Sequence, residues 1–239
     1  MRIWVGGEGA GEWRQAGTWP PPGAAPQRWY LGANGSLGRA APGSQLRPAA
    51  RFRYDPADPT PSPGGATLSV HAGSRDNRAV ERRPDVLVFS SGPLAEPAEV
   101  IGEVAAELSV TRDNPYADLF ARLCDVDPRG RSRNVCDGIV RLTAADPLTG
   151  TVRVSLLGAA HRFGRGHRIR LQVAGGAYPR FARNPGNGQV DAPAGRLLPT
   201  RYEIGLDAAH PSALLLPVAP VAPVAAGRSA APAGPAARR

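Results

Sequence analysis

Apolar and polar residues alternate along Glu99–Thr111. Val100, Gly102, Val104, Ala106, Leu108 and Val110 fall on one face; Glu99, Glu103, Glu107, Ser109 and Thr111 fall on the other. That period of two is the pattern of a long strand with one buried face. A helix also competes for Val100, Ile101, Val104 and Leu108, and Ala and Glu favour it. Gly102 inside the run argues for the strand, and so do the neighbouring stretches. Val152, Val154 and Leu156 alternate with Thr151, Arg153 and Ser155, and Ile169, Leu171 and Val173 alternate with Arg168, Arg170 and Gln172. Strands with one apolar and one polar face predict an all-β, two-sheet β-sandwich.

The same reading places shorter strands at Arg2–Val5, Thr67–His71, Asp85–Ser90, Ala159–Phe163, Tyr202–Leu206 and Ser212–Leu216. Tyr116–Val126 and Arg133–Thr143 form a hairpin about Asp127-Pro128-Arg129-Gly130, with Pro and Gly at the turn positions that favour them. Residues 32–66 are turn-rich. Pro56, Pro59 and Pro61 forbid both helix and central strand there. Residues 178–195 read as a loop. From Pro217 onward the chain is Pro- and Ala-rich without an acid, which predicts a disordered tail over 217–239. The sandwich domain is therefore assigned to residues 1–216, with no internal repeat.

Composition agrees with many short strands joined by turns: there are 29 glycines and 26 prolines in 239 residues. The net charge of +9 comes entirely from arginine, since lysine is absent. These arginines are scattered and interleaved with acids, and the aromatic-and-basic strand motif of an RNA-binding sheet is missing, so nucleic acid is not an expected partner. No apolar run approaches 18 residues and no charged-then-apolar leader follows Met1, so neither membrane nor export is expected and the chain reads as cytoplasmic.

Chemistry is sparse. Cys124 and Cys136 flank the hairpin turn several residues out of register, so two buried thiols are expected rather than a disulfide. Two cysteines and four histidines lack the spacing of a zinc site, and neither metal nor cofactor is expected. Gly6–Gly11 does not fit a dinucleotide fingerprint. No G-x-S-x-G is present, and His71, His161, His167 and His210 have no partner suggested by spacing; they read as surface or turn histidines. No catalytic residue is assigned. Trp4, Trp13, Trp19 and Trp29 all lie within the first thirty positions. The cluster is open to three readings: ordinary packing, an interface, or a sugar-stacking platform.

Several longer motifs resemble one family. They are Tyr54-Asp55-Pro56-Ala57-Asp58-Pro59-x-Pro61-Ser62, Cys136-Asp137-Gly138-Ile139-Val140-Arg141, Gly166-His167-Arg168-Ile169-Arg170-Leu171-Gln172-Val173 and His210-Pro211-Ser212. Trp13-Arg14, Trp19-Pro20 and Phe181-x-Arg183-Asn184-Pro185 fit as well. In this order they resemble the C-terminal domain of the X-Pro dipeptidyl-peptidase and cocaine-esterase (CocE/NonD) serine hydrolases, from about residue 2 to 216. The resemblance implies a jelly-roll sandwich of galactose-binding-like shape that packs on an α/β-hydrolase domain carrying a Ser-Asp-His triad. It implies that this chain is the accessory domain alone, inactive by itself. It also implies that Leu108 and Ser109 rim an acyl pocket. The four tryptophans are the candidates for the surface exposed when the hydrolase partner is absent. The rival reading is a free-standing carbohydrate-binding module.

Overall fold

The computed structural model describes residues 1–7, 9, 11–43, 49–68, 70–189 and 196–221. Thirteen strands are assigned among them: β1 (Arg2–Gly7), β2 (Glu12–Gln15), β3 (Ala25–Gly32), β4 (Ser36–Gly38), β5 (Ala49–Tyr54), β6 (Val86–Ser90), β7 (Ala98–Arg112), β8 (Ala117–Val126), β9 (Ser132–Leu142), β10 (Thr149–Phe163), β11 (Arg168–Ala174), β12 (Thr200–Gly205) and β13 (Ala213–Ala219). One short helix, α1, spans Arg78–Glu81.

The strands form one sheet that curls into two facing layers, in the order β2-β1-β10-β7-β13-β3-β4-β6-β11-β8-β9, with β12 paired to β5 and β7. The layers join where Ser36 of β4 pairs with Ser90 of β6. One core lies between them. Val104 and Leu108 of β7, Leu156 of β10 and Leu214 of β13 meet Leu119 and Leu123 of β8 and Ile169 and Leu171 of β11, none of them with exposed surface. At about 25 cal/mol per Å² of apolar surface removed from water, this shared burial is the dominant stabilising contribution. The result is the all-β sandwich expected from the alternation.

The long central strand is the predicted one, extended by a residue at each end. Val100, Val104, Leu108 and Val110 are buried, and Glu103 and Thr111 are exposed. Near its start the polar face is covered too. Ile101 packs with Val5 and Ala219 in a second small core, and Glu99 is fully buried. Arg14 Nη1 and Nη2 donate to the Glu99 carboxylate at 2.6 and 2.8 Å, which pairs the buried charge. Gly102 has φ +143, and an added Cβ would stand 2.9 Å from Pro217 Cβ.

Several boundaries differ from expectation. Residues 151–157 and 159–163 are one strand, β10, interrupted by a bulge between Ser155 and Gly158. Thr67–His71 is not a strand. Gly65 pairs with Gly73, and Val70 and His71 turn, leaving Leu68 and Val70 without a layer to cover them. Inside the supposedly turn-rich 32–66, β4 and β5 form; β2 and β3, earlier in the chain, also add to the sheet. Strand β13 runs to Ala219, three residues beyond the assigned domain end, because Pro217 faces Pro26 of β3, where neither needs to donate to the ladder. The rest of the predicted tail, 222–239, lies outside the described residues. Among the described residues no helix is long and apolar enough to cross a membrane.

Candidate functional site

Two features stand out on the surface, on either side of the loop 62–73. The first is a cleft of about 950 Å³ whose lining includes Trp4, Gly6, Asp125, His161 and His167. Strand β8 supplies Asp125, β10 supplies His161, and the turn after β10 supplies His167. Asp125 Oδ2 lies 2.9 Å from His161 Nε2, and Asp125 Oδ1 lies 2.7 Å from His167 Nδ1. A carboxylate only accepts, so each imidazole donates the N–H that faces Asp125. Among the described residues no hydrogen bond is made at the other ring nitrogens, His161 Nδ1 and His167 Nε2. Phe163 packs edge-on against His161 at 4.8 Å between centroids and fixes the ring plane. His167 is only 8% exposed. The two were expected as surface or turn histidines without a partner; His167 does sit in a turn, but the fold brings both onto one carboxylate. Their partners lie 36 and 42 residues away in the chain, beyond any spacing rule. The other acids of the cleft are also engaged. Arg131 Nε donates to Asp127 at 2.6 Å, and Asp137 is held by Arg122 and Arg180.

The second feature is an apolar groove of about 1320 Å³, with Pro61, Pro63, Leu68, Val80, Tyr178 and Phe181 among its lining. Leu68 is 110% and Val70 86% exposed. The loop that carries them is anchored from beneath. Arg122 of β8, fully buried, donates to Pro63 O and Asn77 Oδ1 at 2.8 Å each and to Ser62 Oγ at 2.9 Å. Its Nε and Nη2 also reach Asp137 Oδ2 of β9. The guanidinium fork suits this task, because its donors are planar and rigid. A buried arginine tying an extended loop to a hairpin was not foreseen from sequence, where Arg122 alternates like any outward residue.

The expected site residues separate. Leu108 is sealed in the core, and neither it nor Ser109 lines the cleft or the groove. Ser109 is partly buried on the opposite face of β7, where its N–H donates to Ser212 Oγ at 2.9 Å. Of the tryptophans, Trp4 and Trp13 are 46% and 58% exposed and meet edge-to-face at 5.4 Å on the β1–β2 ribbon. Trp19 packs on the small core with Ile101, while Trp29 packs on the main one with Arg39 above its ring. The cluster seen in the sequence is thus three separate packings.

Both cysteines are free, as expected, but they lie nearer than several residues apart. A bulge sets Cys136 opposite Leu123 and Cys124 opposite Asn134. Cys136 is partly rather than fully buried, against the main core; Cys124 Sγ accepts from Gln172 Nε2 at 3.3 Å. Burial pushes the Cys124 thiol up to about 12 and raises the Cys136 thiol further. His210, a loop histidine as expected, is held by Asp207, whose Oδ1 accepts from the His210 N–H at 2.7 Å.

The two-layered sandwich places the chain among all-β domains. The chain belongs to the X-Pro dipeptidyl-peptidase C-terminal non-catalytic domain family, whose model matches residues 1–215. It is 35% identical to the cocaine esterase of Rhodococcus sp. (strain MB1 Bresler), over 91% of this chain and 41% of that protein. Its fold matches a crystal structure of an aminopeptidase from a marine sediment archaeon, Thaumarchaeota archaeon, with a TM-score of 0.77 and 25% identity over 90% of this chain and 40% of that one. An alpha-amino acid ester hydrolase shares the fold, also with a TM-score of 0.77, at 24% identity and with the same coverage. The chain thus spans about two fifths of the length of the relatives it matches. It corresponds to their C-terminal, non-catalytic part.

Proposed function

We propose that this chain docks on an α/β-hydrolase domain and completes a serine hydrolase of the X-Pro dipeptidyl-peptidase and esterase type. In that enzyme a serine of the partner domain attacks an ester or amide carbonyl and expels the alcohol or amine, and water then cleaves the acyl-serine bond to release the acid. The sandwich supplies a rigid wall rather than chemistry. One observation carries this reading: an apolar loop tip, Leu68 and Val70, stands wholly exposed beside an apolar groove, while a buried Arg122 holds its base. Exposed apolar surface of this kind marks a binding face. Trp4 and Trp13 add a smaller patch, while Trp19 and Trp29 have little surface to offer.

The test mixes the chain with the portion of the Rhodococcus cocaine esterase that it does not match. Sedimentation should detect a one-to-one complex, and Leu68→Asp with Val70→Asp should abolish it. The isolated chain should not turn over p-nitrophenyl esters or X-Pro anilides. Turnover by the chain alone that a serine-directed inhibitor stops, or a complex indifferent to the two aspartates, overturns the proposal.

A further inference from the structure

The cleft on the other side of the loop is built for a ligand that the docking reading does not require. Gly6 of β1 pairs with His161 of β10, and both line the cleft. A Cβ on Gly6 would lie 3.9 Å from both Trp4 Nε1 and His161 Nδ1. An indole N–H donor and an imidazole nitrogen therefore flank a position where the protein places no side chain. His167, nine-tenths buried, adds a second imidazole nitrogen, Nε2, since Asp125 takes its Nδ1.

The charges around this position are unbalanced in one direction. Asp125, Asp127 and Asp137 are each engaged by cationic or imidazole partners. Arg129 and Arg133 also line the cleft. Among the described residues neither guanidinium makes an ion pair at contact distance, although Arg133 acts on Asp76 through space. The cleft therefore offers a partly exposed aromatic ring, an indole donor, two imidazole nitrogens and two guanidinium groups outside any close ion pair.

We infer that the cleft binds an acidic saccharide, a short oligomer containing uronic acid. A pyranose ring carries the apolar C–H face that an exposed Trp4 can cover. Its hydroxyls both donate and accept, which suits the Trp4 N–H and the two imidazole nitrogens. Its carboxylate is the planar group that a guanidinium fork takes. A neutral sugar leaves the arginines unused. A nucleic acid needs a row of phosphate contacts rather than two arginines.

Titrating the full chain with trigalacturonate tests this, with calorimetry for affinity and the tryptophan indole N–H signals in a ¹⁵N-resolved spectrum for location. The Trp4 signal, assigned with Trp4→Phe, should shift. Gly6→Ala meets only ordinary contact distances, so the fold tolerates it, yet its methyl occupies the site. It should weaken binding at least tenfold, as should Trp4→Ala. Arg129→Gln with Arg133→Gln should bring trigalacturonate down to the affinity of maltotriose. Undetectable binding, equal binding of maltotriose by the parent chain, tighter binding of a short oligonucleotide, or indifference to Gly6→Ala would each sink the inference. Leu68→Asp, on the docking face, should leave saccharide binding unchanged, which separates this result from the fate of the docking reading.

Discussion

Arg122 and Asp137 face each other across the β8–β9 ladder with almost no exposure, the guanidinium Nη2 lying 2.9 Å from Asp137 Oδ2. The pair also anchors three groups from outside the ladder: Ser62, Pro63 and Asn77. Replacing Arg122 by Met leaves the buried Asp137 with Arg180 alone and leaves the Asn77 and Ser62 side chains and the Pro63 carbonyl short of a donor. The expected loss is about 3–5 kcal/mol of unfolding free energy, the range for breaking one side of a buried ion pair. Urea titration measures it. Amide exchange should accelerate over 61–66 before global unfolding, because those residues lose their anchor.

Leu108 and Ser109 are neighbours in sequence but face opposite sides of β7. Leu108→Ala should cost about 2–5 kcal/mol by lost burial and the cavity left behind. Ser109→Ala should change stability by less than about 0.5 kcal/mol, the range of substitutions away from the core. Denaturant midpoints of the two variants check the contrast. Similar losses from both would contradict the burial assigned here.

Strand β9 crosses β10 at Gly138, where an added Cβ would meet Ser155 O at 1.8 Å. The atom in the way is backbone and cannot swing aside, so Gly138→Ala must part the two layers. We expect little folded protein, judged by near-ultraviolet dichroism. Gly150→Ala is the control: its nearest neighbour would be Pro147 Cγ at 3.7 Å, an ordinary contact, and its stability should be near the parent's.

The two thiols give a pH signature. Burial raises Cys124 to about 12 from an ordinary value of 9.0, so the folded state holds that proton more tightly than the unfolded one. Its contribution is therefore present below pH 9 and is lost as pH climbs towards about 12. At pH 8 neither Cys124 nor Cys136 should react appreciably with iodoacetamide in the folded chain, and both should react in urea. Mass spectrometry counts the adducts. Rapid labelling of Cys124 without denaturant would show that the site is not sealed.

Much of the sandwich was legible because its longest strands alternate cleanly. The runs at 98–112 and 149–163 bury one residue type and expose another, and 168–174 alternates in sequence although its Arg168 and Arg170 are half-buried and its Gln172 is buried. The 117–126 and 132–142 hairpin was legible because Pro128 and Gly130 mark its turn, where Gly130 N–H donates to Asp127 O at 2.8 Å. Strands β3 to β5 were not, because Pro26 and the short Ser36–Gly38 segment blur the period. Leu68 and Val70 misled in the other direction: they alternate like a strand, but nothing lies opposite to bury them.

By itself the sequence determined the class of fold and the family, since period, turn chemistry and ordered motifs are all local along the chain. Only the tertiary structure decided that Asp125 would join His161 and His167, that Arg122 would hold the 62–66 segment, and that Trp4 would open onto a cleft while Trp29 closed against the core. Those outcomes depend on which strands become neighbours when the sheet curls. Residues dozens of positions apart meet only after apolar burial has closed the two layers.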